Sequence, residues 1–286
     1  MSGSEQLSSF TPAQMLEKAS TAGIAKSKLD FWPMLLLAIL AGMYIAFGGV
    51  FSTVVATGTM AAWPYGVVKL LQGIVFSTGL ILVVVGGAEL FTGNILLIIP
   101  LMQRKISLTS MLRNWLIVYI GNFLGSIIVA YFVLLAGSHQ FAGGMLGNTI
   151  LTIADSKLHF SFLQATMLGV LCNILVCLAV WLSFSARNTA DKILAIIFPI
   201  SAFIAAGFEH SVANMYLIPV GILLKTFDPA FVSNLGINVL SLDWGVFLVN
   251  NLLPVTIGNI LGGGIFVALI YAYIYGKQIP VNDTHQ

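Results

Sequence analysis

One histidine, His210, falls inside the apolar stretches of this sequence; His139 and His159 lie in a connecting segment and His285 in the C-terminal tail. It is the one group at that depth able to exchange a proton near neutral pH. Glu209 precedes it, and Glu89 stands in a matching context, because Gly-x-Glu-x-x-x-x-Asn occurs at 87–94 and again at 207–214, ending on Asn94 and Asn214. A carboxylate inside a membrane is costly, so both glutamates must face protein or water and find donors. Backbone N–H groups exposed where a helix unwinds are the expected donors. Holding an irregular loop at membrane depth is the favoured role for the pair, ahead of direct contact with a solute. Thr92, at the same place in the first copy, offers a hydroxyl that can donate to an anion or accept from imidazole. Taken singly, each residue has a plainer reading: a buried neutral histidine, a threonine bonded back to its own helix. The shared break favours a functional one.

The elements that must position these groups are membrane spans. The chain is 58% hydrophobic and 8% charged, with a mean hydropathy of +0.99, outside the range of a soluble domain of this length. Spans are read at 32–57, 66–101, 110–136, 161–185, 192–223 and 245–275, six crossings in one membrane domain covering 31–276. The second and fifth are too long for a straight crossing, and each is interrupted by the Gly-x-Glu-x-x-x-x-Asn element. Residues 1–30 are expected to hold a short amphipathic helix, started by Thr11 as N-cap with Pro12 and Gln14 and running towards Ala22; 277–286 form a tail. With Glu5 and Glu17 among its lysines, that N-terminal stretch lacks the pattern of a secretory leader.

A second match follows the first in order: N-W-L-I-V-Y-I-G-N-F-L-G at 114–125 and N-L-L-P-V-T-I-G-N-I-L-G at 251–262. Each half therefore holds three spans, and an odd number inverts the second half relative to the first. The expected fold is an all-α membrane protein of six helices in an inverted 3+3 repeat with broken second and fifth helices. Broken helices also aim two half-helix N-termini at the midplane, which favours an anion. Lys18, Lys26, Lys28, Arg104, Lys105, Arg113, Arg187, Lys192 and Lys277 share one face and only Lys69, Lys157 and Lys225 the other, so both termini are expected to be cytoplasmic.

Other features carry less. The net charge of +2 and the absence of a basic run argue against nucleic acid as a partner. Cys172 and Cys177 are spaced for neither zinc nor redox chemistry, and core packing accounts for them. Gly121-x-x-x-Gly125 and Gly258-x-x-x-Gly262, with Gly263 and Gly264, suit close helix contact. Lys157, in the outer loop, would concentrate an anion there, although a solvated loop lysine is the commoner case. Phe76, Leu80, Leu90, Phe91 and Phe203 lie near the breaks, where bulky apolar residues either pack a core or form a constriction.

The sequence resembles the formate/nitrite transporter family through G-A-E-L-F-T-G-N at 87–94, A-G-F-E-H-S-V-A-N-M at 206–215 and N-L-L-P-V-T-I-G-N-I-L-G-G-G at 251–264, over nearly the whole chain. Within it the formate channels are most similar, through L-V-C-L-A-V-W at 175–181 and F-E-H-S-V-A-N-M-Y-L-I-P-V-G-I at 208–222. The resemblance implies an aquaporin-like homopentamer in a bacterial cytoplasmic membrane, with a pore in each protomer that passes formate and no cofactor. It implies that His210 is the central pore histidine, Thr92 its partner and Asn173 a pore-lining amide. Glu209 would hold the broken fifth helix, Lys157 would guide anions, and Phe76, Leu80 and Phe203 would narrow the pore. The N-terminal helix would influence gating.

Proton transfer at His210 would let formate cross as the neutral acid, since desolvating a bare carboxylate costs far more. Nitrite, hydrosulfide, acetate and lactate remain solutes of the same class. A water or glycerol channel is the first rival, but the paired Asn-Pro-Ala motifs of aquaporins are missing. An intramembrane enzyme is the second, and a lone histidine has too few partners for a zinc site or a triad.

Overall fold

The computed structural model describes residues 9–59, 62–237 and 239–276; the tail at 277–286, with Lys277 and His285, and Glu5 lie outside the described residues. Helix α1 is Pro12–Ser27 and begins as expected: the Thr11 hydroxyl accepts from the Gln14 N–H, and the Gln14 amide oxygen accepts from the Thr11 N–H. It does not stop near Ala22. Gly23 lies against the Pro100 ring, where a Cβ would come within 2.8 Å of it, and buried Ala19, Ser20 and Gly23 carry the helix on across the protein surface to Lys26.

Five helices among the described residues are long and apolar enough to cross a membrane: α2 (Phe31–Ala56), α3 (Tyr65–Gly86), α5 (Leu108–Leu135), α7 (Phe162–Ser183) and α11 (Trp244–Gly276). After α3 the chain breaks and resumes as the short apolar helix α4 (Gly93–Met102). Two shorter helices follow α7, α8 (Thr189–Ala205) and, after a second break, α9 (Ser211–Phe227). Two outer helices were not expected from sequence. Met145–Ser156 forms α6 inside what reads as a loop around Gly143 and Gly144, and Pro229–Asn234 forms α10, capped by Asp228. Asp228 accepts from the Phe231 N–H, which holds its carboxyl below the ordinary aspartate range.

The halves pack alike. α2 lies along α5 and α7 along α11 at contacts that leave no room for side chains. A Cβ on Gly125 would sit on the Ile39 carbonyl, one on Gly42 on the Asn122 carbonyl, and one on Gly258 on the Thr166 carbonyl. Backbone cannot step aside as a side chain can. Gly125→Ala should therefore cost about 1–3 kcal/mol through overpacking and lower the melting temperature in detergent. Gly66→Ala, with nothing within 4 Å, should not; equal melting of the two variants would show that the α2–α5 approach is slack. Around the outside, Leu36, Leu116, Phe132, Leu163 and Phe198 are exposed, as in a protein whose solvent is lipid or a neighbouring subunit.

Candidate functional site

The breaks are built the same way. α3 ends at Gly87 and α8 is followed by Gly207, both with positive φ (+79° and +73°) and open space where a Cβ would be, so conformation rather than room requires glycine. Two asparagines, one from each copy of the second matched motif, then tie down the irregular backbone. Asn122 on α5 accepts from the Phe91 N–H and donates to the carbonyls of Ala38 and Glu89. Asn259 on α11 accepts from the Ser211 N–H and donates to Gly169 and Glu209.

The glutamate donors differ from the expectation. Backbone N–H groups do not serve the carboxylates; the Glu89 and Glu209 N–H groups bond to the Leu37 and Leu168 carbonyls. Glu89 takes Lys26 Nζ at 2.7 Å and Asn94 Nδ2 at 2.7 Å, and Asn94 also donates to Asn114. Glu209 takes Lys157 Nζ at 2.6 Å and Asn214 Nδ2 at 2.7 Å, and Asn214 also donates to Asn251, which lies in a π-helical turn of α11. Lys157 is thus no solvated loop lysine: it closes α6, and its charge is matched by a carboxylate 52 positions away in sequence. Lys26, Asn114, Asn122, Asn251 and Asn259 are the residues that sequence reading missed. The four asparagines stood at equal positions in the aligned repeat and were legible there; Lys26 was hidden by the early helix stop.

At the centre, Thr92 Oγ1 and His210 Nε2 are 2.8 Å apart. His210 is also the N-cap of α9, its Nδ1 accepting from the Ala213 N–H at 2.9 Å. A backbone amide can only donate, so Nδ1 carries no proton and the neutral ring holds its hydrogen on Nε2. Nε2 therefore donates to Thr92, and the Thr92 hydroxyl keeps its own hydrogen for another acceptor. Charging the ring would require Nδ1 to give up the Ala213 bond. In the first turn of α9 the Ser211 and Ala213 N–H groups are thus taken, by Asn259 and His210. Asn173 donates to the Thr92 and Asn259 carbonyls, and its Oδ1 has no partner among the described residues.

His210 stacks on Phe203 (centroids 5.9 Å), which meets Phe76 edge-on at 5.7 Å. With Leu80 and Leu90 these rings line a small pocket of about 10 Å³, room for about one water. Leu80 and Leu90 also line a vestibule of about 200 Å³ that holds Lys26, Glu89 and Asn94, so the two leucines divide it from the histidine pocket. Phe91 is elsewhere: it is buried against Tyr119 and Trp115 and does not line the pocket.

Broken membrane helices, a buried polar pair at their meeting point and an apolar partition define a protein that passes small solutes, not an enzyme. The chain belongs to the formate/nitrite transporter family, whose sequence profile matches residues 13–273. It is 42% identical over 278 residues to the formate channel FocA of Escherichia coli (strain K12), covering 96% of each chain. It is 40% identical over 288 residues to a probable formate transporter of Methanothermobacter thermautotrophicus, covering 95% of this chain and 99% of that one. Among solved structures, a pentameric formate channel with formate bound superposes with a TM-score of 0.79 at 46% identity, over 86% of this chain and 97% of the other.

Proposed function

We propose that this protein passes formate across a bacterial cytoplasmic membrane through a pore in each protomer of a homopentamer, with both termini cytoplasmic and the two halves inverted. The observation that carries this reading is the Thr92–His210 pair set behind an apolar partition, in a chain similar to channels named for formate. The Thr92 hydroxyl is the donor that meets the anion. Both lysines flanking the site are balanced by glutamates, so the pocket itself is neutral and apolar, and a bare carboxylate is strongly disfavoured there. Passage as the neutral acid removes that barrier: as Nδ1 releases the Ala213 bond and takes a proton from the outer solution, Nε2 gives its own to Thr92, whose hydroxyl passes its hydrogen to formate, so that the ring ends neutral. Formate influx should then rise as the outer pH falls, because the acid fraction grows.

The test is formate flux into proteoliposomes against pH, for the native protein and His210→Asn, with nitrite and glycerol as competing solutes. Fast formate flux with a pH profile that His210→Asn alters is the expected result. Preference for nitrite would reassign the solute within the family, and equal glycerol flux insensitive to His210 would replace the proton-linked reading with a neutral-solute channel.

A further inference from the structure

The three lysines expected on the face opposite α1 are Lys69, Lys157 and Lys225, and two of them are engaged. Lys157 Nζ is 2.6 Å from Glu209, and Lys225 Nζ donates to the Val239 and Leu242 carbonyls at 3.1 and 3.2 Å. Lys69 has neither a carboxylate nor a carbonyl partner among the described residues; its Nζ lies 5.7 Å from the centroid of the exposed Tyr65 ring. A ring face steadies a cation without cancelling its charge. The charged groups that act on Lys69 are Lys157 and Glu209, which already neutralise each other. The uncompensated charge of this trio is therefore on Lys69, where the sequence pointed to Lys157.

The position of Lys69 on α3 connects that charge to the pore. At about 100° and 1.5 Å per residue, Lys69, Phe76 and Leu80 fall on one stripe about 40° wide, with Lys69 about 10 Å beyond Phe76 along the helix axis. Phe76 and Leu80 both line the histidine pocket, and Leu80 also lines the vestibule on the far side, so the stripe follows the solute path. Lys69 is half-buried, and its field is screened less than that of an open surface charge.

We propose that Lys69 captures the anion at this mouth: a small monovalent carboxylate rests against its ammonium, in front of the Phe76–Phe203 rings, before a proton reaches it. The assignment rests on the formate reading above. The charge raises the concentration of anion at the entrance to a pocket that is itself neutral and apolar. Once protonated, the acid is no longer held by the charge and moves on.

The test is initial formate uptake into proteoliposomes at fixed pH, measured against formate concentration. Lys69→Gln should raise the half-saturating concentration about tenfold at low ionic strength and recover the native rate as formate saturates; Lys69→Glu should raise it further, and Lys69→Arg should behave as native. The native chain carries the same test without a substitution: its uptake at low formate should fall as sodium chloride is added, and that of Lys69→Gln should hardly change. Equal half-saturation in the native chain and Lys69→Gln, a loss that Lys69→Arg shares, or uptake by the native chain that salt leaves unchanged overturns the role of Lys69 and leaves formate passage standing. No formate uptake by the native chain overturns that passage and this site with it.

Discussion

Lys157→Met should lower stability by about 3–5 kcal/mol, the scale of a buried charge losing its partner. Glu209 is 3% exposed and Lys157 16%, so the carboxylate left behind would keep only the Asn214 and Asn251 amides and have no water to turn to. The corresponding Lys26→Met change removes the same bond from Glu89, yet Lys26 is 32% exposed and solvent screens part of its contribution; a clearly smaller loss is expected. The comparison is melting in detergent of the two variants and of Lys157→Met/Glu209→Gln. The double variant should recover most of the loss, since a neutral amide at 209 needs no counter-charge. Similar drops for the two lysines, or no recovery, would mean that the pairs do not carry the energy assigned to them.

Asn122→Leu and Asn259→Leu should each prevent accumulation of folded channel. Leucine matches asparagine in shape, but each change strands two buried backbone groups, at Asn122 the Phe91 N–H and the Glu89 carbonyl, at Asn259 the Ser211 N–H and the Glu209 carbonyl, and takes a second bond from the helical carbonyls of Ala38 and Gly169. At about 1–3 kcal/mol for each unsatisfied group, the sum is a large share of the whole stability of a domain. His210→Asn, which leaves all of these bonds in place, is the control and should fold. The readout is the yield of a monodisperse peak from membranes; normal yield of either leucine variant would show that water reaches the breaks and satisfies them.

How much of this was legible beforehand differs between elements for physical reasons. The spans were readable because lipid tolerates only long apolar runs with internally paired backbone. The breaks were readable because Gly-x-Glu-x-x-x-x-Asn interrupts two such runs, and the close helix pairs because glycines recur every four residues. α6 was missed because its apolar face is short and sits among glycines, and α1 was cut short because Gly23 reads as a helix end in sequence, whereas in the fold it is where Pro100 packs on the helix. Phe91 read as a constriction because its position in sequence is beside the break; its ring packs instead against Tyr119 and Trp115.

By itself, then, the sequence determined the solvent, the all-helical fold class and the short list of polar residues that lipid would not tolerate without a purpose. Tertiary structure alone decided the partners. Whether Lys157 guides ions or neutralises Glu209, which nitrogen of His210 bears the proton, and which apolar side chains close the pocket all depend on distances of a few ångströms between residues 31 to 118 positions apart. Hydrophobic periodicity records only whether a residue faces lipid or protein. It holds no information about which group waits on the other side.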